Sequence, residues 1–177
     1  MRTLFKFPNP VNEVSARLVA GGVLLQCIAF VVFRQSWQLI PLAYGFVARV
    51  LTGPTLSPLG QFVTRVVTPG LSVDAKLVPG PPKRFAQGIG ATLSLSAAVA
   101  WMLGSHVLAI GAVVAIAIAA TLESVFAICL GCTIFAQLMR WGVIPAHVCE
   151  SCNDISGRLG RVTPLAETPR AAVSAKT

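Results

Sequence analysis

Four of the five cysteines of this chain fall in one window: Cys129-Leu130-Gly131-Cys132, sixteen residues, then Cys149-Glu150-Ser151-Cys152. Two C-x-x-C pairs at that separation suit either of two chemistries. As thiolates, Cys129, Cys132, Cys149 and Cys152 could share a Zn²⁺ or another soft metal, with His147 able to replace one sulfur. As dithiols they could exchange electrons or sulfur with a partner, because a thiolate attacks a disulfide sulfur and its neighbour resolves the intermediate. A third reading needs no chemistry: small, soft cysteines also pack well in cores. A metal knuckle wants a tight turn, whereas Cys129 and Cys132 read as helical. An exchanging C-x-x-C wants a helix N-terminus, which Cys129 occupies only if the helix breaks there.

Two charged residues in apolar sequence are the next candidates. Glu123 interrupts the last hydrophobic stretch, and Arg49 sits near the inner end of the second one. A carboxylate at membrane depth is costly and marks function or pairing. Arg49 is the expected partner, as a structural ion pair or as part of a proton step beside the thiols. On an unbroken helix Glu123 would point about half a turn away from Cys132. Cys27, mid-segment, reads as packing, and His106 lies far from the cysteines. Gly88-x-Gly90 opens an apolar helix with no strand before it, so it is not a dinucleotide fingerprint.

The elements that carry these residues are apolar helices. Hydrophobic residues make up 55% of the 177 and charged ones 11%, against about 25% charged in soluble domains. The expected fold is all-α, with four transmembrane helices at about 14–33, 37–52, 85–103 and 107–128, the last continuing toward 140. These form a membrane domain over 1–155, and 156–177 reads as a disordered cytoplasmic tail. No cleavage site follows the first apolar stretch, so a cleaved signal peptide is not expected. Asn12 is placed to cap the first helix. Gly111, Ala115 and Ala119, like Gly90 and Ser94, recur at four-residue spacing, the pattern of closely approaching membrane helices. Val107 to Met139 is thirty-three residues, roughly 50 Å as one helix against a hydrocarbon core of about 30 Å. That segment must project from the bilayer or bend, and Gly131 is the residue that would permit a bend. Cys129 then lies ~33 Å along it, at the inner boundary.

Basic residues orient the bundle. The 34–36 and 104–106 connections hold one Arg or Lys between them, whereas the N-terminal arm, middle loop and tail hold Arg17, Arg65, Lys76, Lys83, Arg84, Arg140 and others. Both termini are therefore expected in the cytoplasm of a plasma membrane, with anionic headgroups as partners of the +8 chain and nucleic acid not among them. That side is reducing, so a standing structural disulfide is not expected. Ser57-Pro58, followed by Leu59, Phe62, Val63 and Val66, predicts a short amphipathic interfacial helix that stops at Thr68-Pro69-Gly70.

Three strings carry a resemblance: Phe7-Pro8-Asn9-Pro10-Val11-Asn12-Glu13, Pro79-Gly80-Pro81-Pro82-Lys83-Arg84-Phe85-Ala86-Gln87-Gly88, and Cys129-Leu130-Gly131-Cys132. Over roughly 7–140 the chain resembles the bacterial integral membrane family known as domain of unknown function 4395. The resemblance implies a four-span inner-membrane protein and supplies no activity. Association of that family with thioredoxin and sulfurtransferase proteins implies sulfur or redox work, with a thioredoxin-like or rhodanese-like partner. The expectation is therefore a thiol redox or sulfur-relay membrane protein. Its alternatives are a metal-binding membrane protein, with Zn as the candidate metal, and a structural partner of a membrane complex. Self-association remains open.

Overall fold

The structure, a computed structural model, describes residues 7, 9–71, 76–145 and 148–149. Helix α1 (Glu13–Phe33) starts where expected: Asn12 Oδ1 accepts from the Val14 N–H at 3.0 Å. It ends at Arg34, a left-handed cap. A 3-10 turn (Ser36–Gln38) leads into α2 (Leu39–Thr52). Ser57 caps α3 (Pro58–Phe62), which runs on through a π turn (Val63–Val67) and α4 (Thr68–Gly70). Strands β1 (Val11–Asn12) and β2 (Leu77–Val78) pair antiparallel. This ladder, with a Lys76–Glu13 ion pair at 2.8 Å, ties the chain entering α1 to the chain entering α5 (Gly80–Met102). Asn9 Oδ1 also accepts from the Gly80 N–H. Gly104 at φ +78 turns the chain into α6 (His106–Ser124), and α7 (Leu130–Arg140) follows.

The long helices run up and down. Helix α1 packs on α6, α6 on α5, and α5 on α2, while α1 and α2 touch little although they are joined by a short link. The core is a column of Val23, Cys27, Phe30, Leu42, Phe46, Val113 and Ile116, with the Trp101 ring edge-on to Phe30 at 5.2 Å. Cys27 is fully buried in it, as the packing reading expects. Outward positions are also apolar: Leu25, Val32, Ile40, Met102, Val107 and Ile118 are more than half exposed. An apolar exterior around an apolar core suits lipid, not water, as the surrounding solvent.

Helices α1, α5 and α6 are long and apolar enough to cross a bilayer. Helix α2 has fourteen residues, about 21 Å at ~1.5 Å per residue, and by itself falls short of a ~30 Å core. The small-residue pattern divides. A Cβ on Gly90 would meet the Phe46 ring, so α5 and α2 do approach closely there; a Cβ on Gly111 would meet nothing.

The end of α6 decides between the two expectations for the fourth segment. The helix stops at Ser124. Ala127 takes a left-handed φ of 58°, Ile128 N–H closes onto the Leu122 carbonyl at 2.9 Å, and Cys129 is extended. The chain therefore breaks before the first cysteine and starts a second helix.

Candidate functional site

The break makes Cys129 the N-cap residue of α7 and puts Cys132 in its first turn. At this end of a helix the unpaired N–H groups and the macrodipole favour negative charge, and a thiolate is the relevant anion. The Cys132 thiol hydrogen-bonds to the Cys129 sulfur and holds the Cys129 thiol below the ordinary cysteine range; the nearby Lys83 ammonium pulls the same way, against burial and Glu123. The same hydrogen bond, burial and the Cys129 charge push Cys132 up. The pair is thus polarised: the Cys132 thiol donates and the Cys129 sulfur accepts. Both thiols are free.

Gly131 positions the pair. The chain bends at Val125–Cys129 and not at Gly131, the residue that would permit a bend; Gly131 is helical and buried. Its role is contact: a Cβ there would fall 2.5 Å from the Ala86 Cα, so α7 rests directly on the α5 backbone. Phe135 stacks on Phe85 one turn further on, with ring centroids 5.6 Å apart.

That contact brings α5 side chains to the thiols. Glu123 is paired, as expected, but not with Arg49: the Lys83 ammonium lies 2.5 Å from Glu123 Oε1, and both side chains are largely buried. Arg49 donates instead to Gln87 Oε1 at 2.8 Å and Ser57 Oγ at 3.2 Å, and lies over the Phe46 ring. The reason is depth. Lys83 enters one turn into α5, level with the last turn of α6, whereas Arg49 reaches the polar face of α5 one turn deeper, at Gln87. Two buried cations therefore share one carboxylate. The half-turn separation of Glu123 from Cys132 on a continuous helix does not apply, since the break carries the thiols back within electrostatic range of Glu123.

A cavity of about 270 Å³ begins at this cluster. Cys129, Glu123 and Gln87 form its polar end; the remaining wall is apolar, including Val23, Leu93, Ala115 and Ala119. Ala115 and Ala119, expected to bring helices together, face open space instead.

Lys83 and Gln87 were not singled out in the sequence as site residues. Their signal was present: two polar residues four apart, one turn on one face, at the opening of an apolar helix. Cys149 is buried and disulfide-bonded, contrary to the expectation of no standing disulfide. It follows Val148, which shares a surface pocket with Phe85 and Phe135, so this segment returns to the α5–α7 contact. His147 and Cys152 lie outside the described residues. Among the described residues no three His, Cys, Asp or Glu side chains gather as a metal-ligand group.

The family model described as "Domain of unknown function (DUF4395)" matches residues 11–140. The chain belongs to this family. The matched region contains the bundle, the helix break, Lys83, Glu123 and the first cysteine pair, and ends before Cys149. Neither a curated protein nor a solved structure matches the chain.

Proposed function

We propose that this DUF4395 protein is a membrane-embedded thiol redox protein. Cys129 is the attacking thiolate and Cys132 the resolving thiol, and the Cys149–Cys152 segment is the exchange partner that faces soluble thioredoxin-like or rhodanese-like proteins. The observation that carries this reading is the break before Cys129. It puts a C-x-x-C pair at a helix N-terminus beside a buried ammonium, the setting in which such thiols are reactive. Charge supports it too. Among the described residues Glu123 is the carboxylate that acts on both Arg49 and Lys83, and a Cys129 thiolate is the second negative charge that balances them. Free Cys129 and Cys132 together with disulfide-bonded Cys149 suit two dithiols that trade oxidation states.

The same reading orients the molecule. Among the described residues Arg17, Arg49, Arg65, Lys76, Lys83, Arg84 and Arg140 gather at the end of the bundle that carries the thiols, and Arg34 is the one Arg or Lys at the other. By the positive-inside rule the thiol end faces the cytoplasm of a plasma membrane, with both termini there. Helix α2 makes the fourth crossing with help from its leading 3-10 turn and exposed Trp37, and α3 lies at the inner surface.

The test is disulfide trapping. A Cys132→Ser protein, unable to resolve, should accumulate a mixed disulfide through Cys129 when challenged with an oxidised thioredoxin-type protein; Cys129→Ser should not. Stoichiometric zinc that holds all four thiols unreactive, and is lost in Cys149→Ser, would defeat the redox reading.

A further inference from the structure

We infer that the cavity behind Cys129 binds a bilayer-soluble quinone, which takes the electrons of the Cys129–Cys132 dithiol. This rests on the redox reading above and names the acceptor it requires. Three observations converge on that chemical class.

The first is the wall. A Leu or Phe at 115 or 119 would fill this space; the sequence places alanine at both, and the opposite side is formed by Val19, Val23 and Leu93. A ring with small substituents fits about 270 Å³, which lies just under the ~300–1,000 Å³ of drug-sized sites. The second is the rim. Leu130 and Ile134 border the cavity and are 39% and 46% exposed on the outer face of α7, so its approach is apolar. A hydrophilic oxidant gains nothing on that route; a lipid-soluble one does. The third is the polar end. Cys129 lines the cavity with Glu123 and Gln87, whereas Cys132 stands behind Cys129 as its hydrogen-bond donor. The attacking cysteine therefore borders the ligand space, and the resolving one does not.

The bookkeeping closes on a two-electron, two-proton acceptor. The Cys129 thiolate adds to a ring carbon, forming a C–S bond, and one quinone oxygen takes the electron pair and a proton. Cys132, deprotonated, attacks the Cys129 sulfur; the S–S bond forms and the C–S bond breaks. The electron pair of the broken bond leaves on the ring, which is released as hydroquinone. One of its protons is the one lost by Cys132. The other enters from water by way of Glu123, whose carboxylate lines the cavity. In sum, quinone, thiolate, thiol and one proton become hydroquinone and disulfide. Soluble dithiols acting through the Cys149 segment return the pair to its reduced form.

The full chain, reduced, freed of reductant and held in nanodiscs, is mixed with a decyl-substituted benzoquinone. Quinone loss is followed by absorbance, and free thiols are counted. The expected result is one hydroquinone per two thiols lost, at least a hundredfold slower in Cys129→Ser, with Cys132→Ser retaining a covalent ring adduct on Cys129 by mass. The rate with a small water-soluble disulfide is measured alongside. Ala119→Leu fills the cavity and should lower the ratio of quinone rate to disulfide rate at least tenfold. Ala115→Val serves the same purpose with less bulk should Ala119→Leu not fold. A dithiol that exchanges with soluble disulfides but does not reduce the quinone, or an unchanged ratio in both cavity variants, overturns the quinone site and leaves the redox reading standing. Failure to react with either oxidant overturns both.

Discussion

At the scale of single residues, the chemistry rests on the sharing of one proton between two sulfurs. Cys129 is held low by the Cys132 hydrogen bond and Lys83, so its thiolate persists to lower pH than that of an ordinary cysteine and is lost only as pH falls through the lowered value. Alkylation of Cys129 by iodoacetamide should accordingly remain fast at neutral pH, where Cys132 reacts slowly. Substitutions should move this profile in opposite directions. Lys83→Met removes an attraction and shifts the Cys129 profile to higher pH, whereas Glu123→Gln removes a repulsion and shifts it to lower pH. A common shift in both variants would mean that distortion, not charge, is being read. The pair also has a structural role. Breaking a buried ion pair by removing one partner costs about 3–5 kcal/mol, so Lys83→Met should markedly lower the unfolding temperature in detergent, and adding Glu123→Gln to it should recover much of the loss.

At the scale of elements, α7 is defined by a backbone feature that its residues do not advertise. Ala127 holds a left-handed φ without being glycine, at a cost of roughly 1 kcal/mol. Ala127→Gly should relieve that cost, raising thermal stability slightly without loss of Cys129 reactivity. Ala127→Val should do the reverse, since a β-branched residue resists this conformation. Gly131→Ala should be the more damaging change. Its methyl meets the α5 backbone, which cannot swing aside as a side chain can, and overpacking of this kind costs about 1–3 kcal/mol. The expected result is a lower unfolding temperature together with slower alkylation of Cys129, because the thiol moves away from Lys83.

These elements also show what the sequence could and could not express. Asn12 and Ser57 as caps, Cys27 as core and the apolar helices were all legible, because capping and periodicity are local. The break at 125–129 was not: Val125-Phe126-Ala127-Ile128 is apolar and contains neither Gly nor Pro, so nothing local forbids a continuous helix. Gly131 drew attention as a hinge because glycine loosens backbones, but here its missing Cβ admits a neighbouring helix. The partner of Glu123 depended on the relative depth of three helices, which only packing sets. The small-residue spacing was right for Gly90 and misleading for Ala115 and Ala119, since small side chains make close contacts or cavities with the same pattern.

At the scale of the whole molecule, reactive groups and basic charge among the described residues are collected at one end, and the opposite end has two tight connections in which Arg34 is the one Arg or Lys. A membrane-impermeant maleimide applied to intact cells should therefore miss Cys129 and Cys132 while labelling a cysteine introduced at Ser36 or Ser105. Labelling of the native thiols from outside would reverse the proposed orientation. The break between α6 and α7 acts at this scale as well. Because α7 is seated on α5 at Gly131–Ala86 and the helix is interrupted by the turn at 125–129, Cys129 is not carried on a rigid continuation of α6, and the α5 contact helps to set its position. A thinner or thicker bilayer tilts membrane-spanning helices to match it, and a thiol carried on a rigid continuation of α6 would swing with that tilt. Mounted as it is, Cys129 should keep nearly the same alkylation rate in short-chain and long-chain lipid, so that the chemistry is insulated from the mechanics of the membrane that holds it.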